Sequence, residues 1–161
     1  MNKLVNMAVE NFRGRRVKKA TETIEREVRV ELAEVPEIAK KQGTQKKILQ
    51  SIMEKNEDGY TRVRKETPGG CTFTRKIFPR HIEDNIIISE KLFEKLFPLG
   101  EKPQDKTRTT WNGWEFDLME DGRVVAEYEM SEGQTSVVVP DYFKVTKVLE
   151  PTIQVGRSLC C

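Results

Sequence analysis

Charged residues alternate in several short stretches of this chain, and the two signs keep to different stretches. Glu25, Glu27, Arg29 and Glu31 alternate within residues 23–32, and Glu127 and Glu129 alternate within residues 124–130. Between them lie Arg62 and Arg64, Thr74 and Lys76, and Lys106 and Arg108, with the same spacing. Successive side chains of a strand point to opposite faces, so each set shares one face of its strand. Carboxylates are ligands for a hard divalent cation, while guanidinium and ammonium groups bind phosphate oxygens. Acids at both ends and bases between are the side chains needed for a divalent metal facing a polyphosphate.

The elements that must position these residues read mostly as short antiparallel strands. Residues 23–32 form the first, with Ile24, Val28, Val30 and Leu32 on its apolar side, interrupted by Arg26. Pro36 opens a short helix through about Gln42, ended by Gly43. Residues 45–55 carry a helical stripe of Ile48, Leu49, Ile52 and Met53. They also read as a strand with Gln50 on one face, and periodicity does not choose between the two. Asp58-Gly59 starts a strand over 60–65, and Pro68-Gly-Gly70 turns it into a hairpin with 71–78. Residues 82–88 are a further strand. Ser89 caps a helix over Glu90 to Leu96 whose buried stripe is Leu92, Phe93, Leu96 and Phe97, stopped by Pro98 and Gly100. Residues 105–112, 113–119 and 123–130 read as a meander, with Asn112-Gly113 and Asp121-Gly122 as type I′ turn dipeptides. Pro140 precedes a last strand over Phe143–Leu149. Such a sheet of about eight antiparallel strands tends to curl or close.

Composition bounds the alternatives. The chain has 161 residues, 37% hydrophobic and 34% charged, enough apolar content for a packed core. The formal net charge is +2, but residues 1–20 hold six basic residues and one acid. This marks a basic N-terminal arm over 1–20, a body over 21–150 and a loose C-terminal tail over 151–161. Apolar runs are short and interrupted, so neither a membrane span nor a signal peptide is expected. Three cysteines make no disulfide framework, which fits a reducing cytoplasm, and Cys160 and Cys161 read as exposed thiols. No phosphate-binding Gly-x-x-x-x-Gly-Lys loop or serine nucleophile elbow occurs. The single histidine, His81, excludes a multi-histidine metal site from one chain and reads as a surface or hairpin residue. Trp111 and Trp114 read as packing residues.

The strand alternation has an unusual sense. Trp114, Phe116 and Leu118 oppose Glu115 and Asp117. Val124, Ala126, Tyr128 and Met130 oppose Glu127 and Glu129, and Cys71, Phe73 and Ile77 oppose Thr72, Thr74 and Lys76. An ordinary solvated face would mix polar types, whereas here acids and bases separate by strand. A sheet closed with the charges inward would bring both signs into one lumen, with helices covering its apolar exterior.

In order along the chain, these residues resemble the CYTH superfamily of triphosphate tunnel metalloenzymes. Glu25-Arg-Glu27-Val-Arg29 is similar to the family's Glu-x-Glu-x-Lys strand, with Arg in the Lys place; a register using Thr23, Glu25 and Glu27 also keeps the inward face. Arg62-Val-Arg64, Thr74-Arg-Lys76, Lys106-Thr-Arg108, Trp114-Glu-Phe-Asp117 and Glu127-Tyr-Glu129 follow the family's later motifs, and Pro140 with Val145-Thr146 is similar to its closing strand. The matches cover about residues 23–147, and the family favours a strand over 46–54 with Gln50 inward. The family's Arg-x-Glu-x-Glu strand survives only in part, as Arg80 and Glu83.

The resemblance implies an α+β, mainly antiparallel β fold: a closed eight-stranded tunnel-like barrel with a few flanking helices. It implies a cytoplasmic, metal-dependent triphosphatase using Mg²⁺ or Mn²⁺. Glu25, Glu27, Asp117, Glu127 and Glu129 would hold metal. Arg29, Arg62, Arg64, Lys76, Lys106 and Arg108 would bind substrate, and Glu25, Glu27 and Lys76 would serve catalysis. The substrate would be a triphosphate-containing small molecule or an RNA 5′ end, and the basic arm could add non-specific nucleic-acid contact. Two other outcomes fit the same tunnel: a class IV-type adenylate cyclase, and a non-catalytic phosphate- or RNA-binding module.

Overall fold

The computed structural model describes residues 27–78 and 82–149, together with the backbone of 154–155. Its elements in chain order are β1 (Glu27–Leu32), α1 (Glu37–Gln42), β2 (Thr44–Asn56), β3 (Gly59–Thr67), β4 (Cys71–Ile77), β5 (Ile82–Ile88) and α2 (Glu90–Leu96). A short 3-10 helix (Phe97–Leu99) leads to β6 (Glu101–Trp111), β7 (Trp114–Met119), β8 (Val124–Glu129), β9 (Ser136–Val137), β10 (Val145–Val148) and β11 (Gln154–Val155). The structure is mainly antiparallel β with few helices. Residues 45–55, ambiguous by periodicity, lie in a strand.

The described residues divide into two compact units, one over 47–105 and the other over 27–46 with 106–149. In the first unit, β2, β3, β4 and β5 pair in sequence order, all antiparallel. Parity along these strands puts Val63, Cys71 and Phe73 on one face. Phe93 and Leu96 of α2 cover that face, joined by Leu49, Leu92 and Phe97. The helix starts where the sequence predicts, because the Ser89 hydroxyl accepts the Leu92 backbone N–H at 3.1 Å.

In the second unit the strand order is β10-β1-β8-β7-β6. Its core holds Val28, Val30, Leu32, Trp114, Phe116, Val124, Ala126 and Met130, with Ala39 of α1 packed in. Phe143 meets Trp114 and Phe116 edge-on, at centroid distances of 5.0 and 5.4 Å. Of the predicted apolar set, Leu118 is exposed, Tyr128 is only partly buried and Ile24 lies outside the described residues.

The turns show why the same dipeptide does not dictate one geometry. Asn112 (φ 49°) and Gly113 (φ 80°) both adopt positive φ, as the expected type I′ turn requires. At Asp121-Gly122 only Gly122 does, at φ 86°. Gly122 N–H donates to the Met119 carbonyl and Met119 N–H to the Arg123 carbonyl. The loop is one residue longer than a two-residue hairpin, so a turn with left-handed Gly122 replaces the predicted type I′ geometry.

Other expectations are corrected. β6 begins at Glu101, before the expected 105, and the last strand shortens from Phe143–Leu149 to β10. The short β9 and β11 pair in parallel, where every strand had read as antiparallel. The closed eight-stranded barrel is not formed among the described residues: β5 pairs with β4 alone, and β10 with β1 alone. Closure needs a partner on both sides of every strand. β10 offers only four residues, and its register on β1 shifts between Glu31 and Leu32.

Candidate functional site

Each unit carries a charged face opposite its core. In the first unit, cross-strand pairing builds two rows on this face: Gln50, Arg64, Thr72 and Ile87, then Ile52, Arg62, Thr74 and Asn85. Lys76 follows opposite Tyr60 and Glu83. The predicted pairs Arg62 with Arg64 and Thr74 with Lys76 therefore lie on one surface. Arg62, Arg64 and Thr74 border a cleft of about 440 Å³ that Glu66, Thr72, Glu83, Asn85 and Ile87 also line, and Lys76 is not part of its lining.

The arginines keep only 11% and 12% of their side-chain exposure, so their direction is constrained. Arg64 Nε donates to Gln50 Oε1 at 2.9 Å, and Gln50 Nε2 donates onward to Gln104 Oε1 at 2.9 Å. Arg64 Nη1 lies 3.6 Å from Glu66. Arg62 Nη2 is 3.7 Å from Glu83, a loose contact, and its buried Nε has no hydrogen-bond partner. Lys76 Nζ is 3.1 Å from Glu83. Asn85 Nδ2 donates to Glu83 at 3.0 Å, and Thr74 Oγ1 donates to Asn85 Oδ1 at 2.5 Å. Burial alone would raise the Glu83 carboxyl, but the Lys76 charge, the Asn85 and Lys76 hydrogen bonds and Arg62 together lower it to about 2. Glu83 is thus an ionised counter-ion for two cations.

The second unit's charged face is dominated by ion pairs. Asp117 is fully buried and accepts from Lys106 Nζ at 2.6 Å, Arg108 Nε at 2.6 Å and Arg108 Nη2 at 2.7 Å. Burial pushes its carboxyl up, but the Arg108 hydrogen bonds and the Lys106 and Arg108 charges prevail and hold it below the ordinary range. Arg108 also lies 2.6 Å from Glu115 and 3.7 Å from Glu127. Arg29 Nε donates to Glu127 Oε1 at 3.1 Å.

This arrangement gives Lys106, Arg108 and Asp117 a structural role that parity does not reveal. Both oxygens of Asp117 are engaged by cations, so it anchors two buried bases rather than standing as an open carboxylate. A cation this deeply buried requires its counter-charge. Glu27 and Glu129 are direct cross-strand partners on the same face, and Glu127 lies opposite Arg29 and Glu115. Among the described residues no three His, Cys, Asp or Glu side chains gather as a ready metal cage. Thr23, Glu25, Arg80, His81 and the basic arm lie outside the described residues.

Sequence reasoning missed Asn85, Glu66 and Glu115 as partners of the site's cations. Asn85 had a signal, because it alternates with Glu83 and Ile87 on one strand. It also missed two apolar residues on charged faces, Ile48 and Val125, which are buried. Cys71 is buried, and burial pushes its thiol up, away from the reactive thiolate.

No family model and no curated protein matches this chain. Among solved structures, the hypothetical protein NE1496 shares 20% identity at a TM-score of 0.50, over 68% of this chain and 78% of that one. The PH1012 protein from Pyrococcus horikoshii OT3 shares 17% identity at a TM-score of 0.45, over 68% of this chain and 80% of that one. The likeness to NE1496 is one of fold. Among the described residues, no helix is long and apolar enough to cross a membrane.

Proposed function

We propose that this protein is a divalent-metal-dependent hydrolase of triphosphate-containing substrates. The observation that carries the reading is the pair of arginines, Arg62 and Arg64, in the first unit's cleft, which Glu66 and Glu83 also line. Arg62 and Arg64 stand side by side on β3, constrained by burial, with Thr72 and Thr74 hydroxyls across from them. Two planar guanidinium forks suit phosphate oxygens, and Lys76 adds a point charge. The orphaned Arg62 Nε is a donor that a phosphate oxygen would satisfy. Glu83 lies 3.7 Å from Arg62 and 3.1 Å from Lys76 and orients both. The ordered motif resemblance to the CYTH superfamily adds the triphosphate length, with hydrolysis as the first of the outcomes such a tunnel hosts.

The second unit carries carboxylates of its own that fit the metal part of this reading. Mg²⁺ is commonly held by one or two carboxylates plus substrate phosphates, so a complete protein cage is not required. Glu27 and Glu129, opposite each other on β1 and β8, fit that donor set, with Glu127 beside them. A divalent ion held there would lower the pKa of a water ligand. Arg29 holds Glu127 in place through its hydrogen bond. A cytoplasmic setting, with reduced cysteines and soluble phosphate esters, belongs to the same reading.

A second reading, a phosphate-binding module without turnover, is favoured by one observation: Asp117 and Glu127 are already engaged by basic side chains. Incubation with inorganic triphosphate, ATP and 5′-triphosphorylated RNA in Mg²⁺ or Mn²⁺, followed by product identification, separates the outcomes. Orthophosphate release supports the hydrolase. Pyrophosphate with cyclic AMP would replace it with a cyclase, and binding without products would leave the module.

A further inference from the structure

The first unit has a second cleft, of about 290 Å³, on the sheet face opposite Arg62 and Arg64. Residues of α2 cover that face over Val63 and Phe73. Beyond Phe73 the next cross-strand row is Glu54, Thr61, Arg75 and Asp84, and the row after it holds Asn56, Gly59 and Ile77. The register shift between Ile52 and Glu54 sets this pattern. Without it Glu54 would fall opposite Tyr60 and share the face of Arg62. Glu54, Asp58, Thr61, Phe73, Arg75 and Ile77 are among the residues that line the cleft.

The bases at this cleft are already engaged. Arg75 Nη2 donates to Asp84 Oδ2 at 2.7 Å, and Lys76 Nζ lies 3.1 Å from Glu83. The acids are not. Among the described residues, the carboxylates of Glu54 and Asp58 make no hydrogen bond or ion pair. Thr61 is only 8% exposed, and its hydroxyl oxygen has no hydrogen-bond partner. A buried hydroxyl left this way is destabilising until a partner arrives. Two unpaired carboxylates, an unsatisfied hydroxyl and apolar walls from Phe73 and Ile77 suit one ligand chemistry. An ammonium group has three donors and no acceptor, and all three oxygens can accept from it. From this juxtaposition we infer that the cleft binds a primary alkylammonium, with its nitrogen toward Glu54, Asp58 and Thr61 and its hydrocarbon against Phe73 and Ile77. The volume lies at the small end for organic-ligand pockets, roughly 300–1,000 Å³, which suits a short chain. The site stands apart from the phosphate reading of Arg62 and Arg64.

The test is calorimetric binding of hexylammonium, hexanol and hexanoate to the full chain and to its Glu54→Gln and Thr61→Val variants. Hexylammonium should bind the wild type at least about tenfold more tightly than the other two. Glu54→Gln removes a charged acceptor and should weaken hexylammonium about tenfold or more, while moving hexanol by less than about twofold. Thr61→Val removes the hydroxyl and keeps the shape. It should weaken hexylammonium by roughly threefold to tenfold, yet melt at or above the wild-type temperature without ligand, because no existing hydrogen bond is lost. Methyl NMR places the ligand: the Ile77 signal should shift on titration, and that of Ile87, which lines the arginine cleft, should not. Hexanoate binding as tight as hexylammonium, or Glu54→Gln binding hexylammonium like wild type, would overturn the inference. So would a shift at Ile87 with none at Ile77, a Thr61→Val variant that melts well below wild type, or no binding of hexylammonium at all. Each of these results leaves triphosphate binding at Arg62 and Arg64 to its own test.

Discussion

Replacing Asp117 by Asn would test whether this carboxylate is a structural anchor or an open metal ligand. The substitution keeps the shape and removes the charge. In the native protein the carboxylate accepts from one lysine and twice from one arginine, all within 2.7 Å, with no exposure of its own. Lys106 and Arg108 are 6% and 7% exposed, so neither can turn to water. Arg108 retains Glu115 and Glu127, and both bases lose the buried carboxylate they share. Breaking a buried ion pair by removing one partner costs about 3–5 kcal/mol. For a chain of this size each kcal/mol moves the melting temperature by about 2–4 °C, so the loss should be roughly 6–20 °C at neutral pH. The carboxyl is held below its ordinary value, so its contribution is fully present above about pH 4, the unfolded carboxylate range, and fades as pH falls through the folded value. The gap between wild type and Asp117→Asn should therefore narrow in acid. Thermal melts across pH, with and without Mn²⁺, provide the assay. A loss under about 1 kcal/mol, accompanied by reduced protection by Mn²⁺, would refute the anchor argument and restore Asp117 as a metal ligand.

Glu127→Gln and Glu129→Gln should abolish metal-dependent turnover while circular dichroism stays native; wild-type rates in Mn²⁺ would remove both from the metal set. Arg62→Ala should weaken inorganic triphosphate at least tenfold, because a charge-assisted fork is lost; an unchanged Kd by calorimetry would discount the basic cleft. Glu83 has a folded pKa lowered to about 2, so it stabilises the fold above about pH 4.3 and loses that contribution on acidification towards pH 2. Acid titration of Glu83→Gln should accordingly show a shallower loss of stability over that interval, and an identical slope would count against the assigned role. Deleting residues 1–20 should leave triphosphate hydrolysis nearly unchanged and flatten the salt dependence of RNA binding, at roughly 0.7–0.9 log units per phosphate contact; equal slopes for both proteins would exclude the arm from the contact.

What the sequence made legible was parity. The alternation in Thr72, Thr74 and Lys76, or in Glu127 and Glu129, assigns a face without knowledge of the neighbouring strand, because the period is local. Which charges meet across a sheet depends on register. Asp117 falls opposite Arg108, and that pairing turns two expected phosphate binders into buried partners of a carboxylate. Parity also says nothing about depth: Val125 sits on the charged face with Glu127 yet is buried. The barrel was expected because many antiparallel strands tend to close, but closure depends on the edge strands, and β10 proved short. β9 and β11 are two residues each, too brief for any periodic signal.

The alternation has a consequence for how this protein can change over generations. On β3 and β4, packing is carried by Val63, Cys71 and Phe73, and the charged and hydroxyl side chains occupy the positions between them. Substitutions at Arg62, Arg64, Thr72 or Thr74 leave those packing residues in place, so a lineage can alter the charge of this face while remaining folded. The same interleaving makes insertions hazardous. One residue added within β3 would exchange the two faces beyond it, sending arginines into the apolar layer and valine into the cleft. Point substitutions should therefore accumulate in these strands far more freely than changes of length, which belong in the turns.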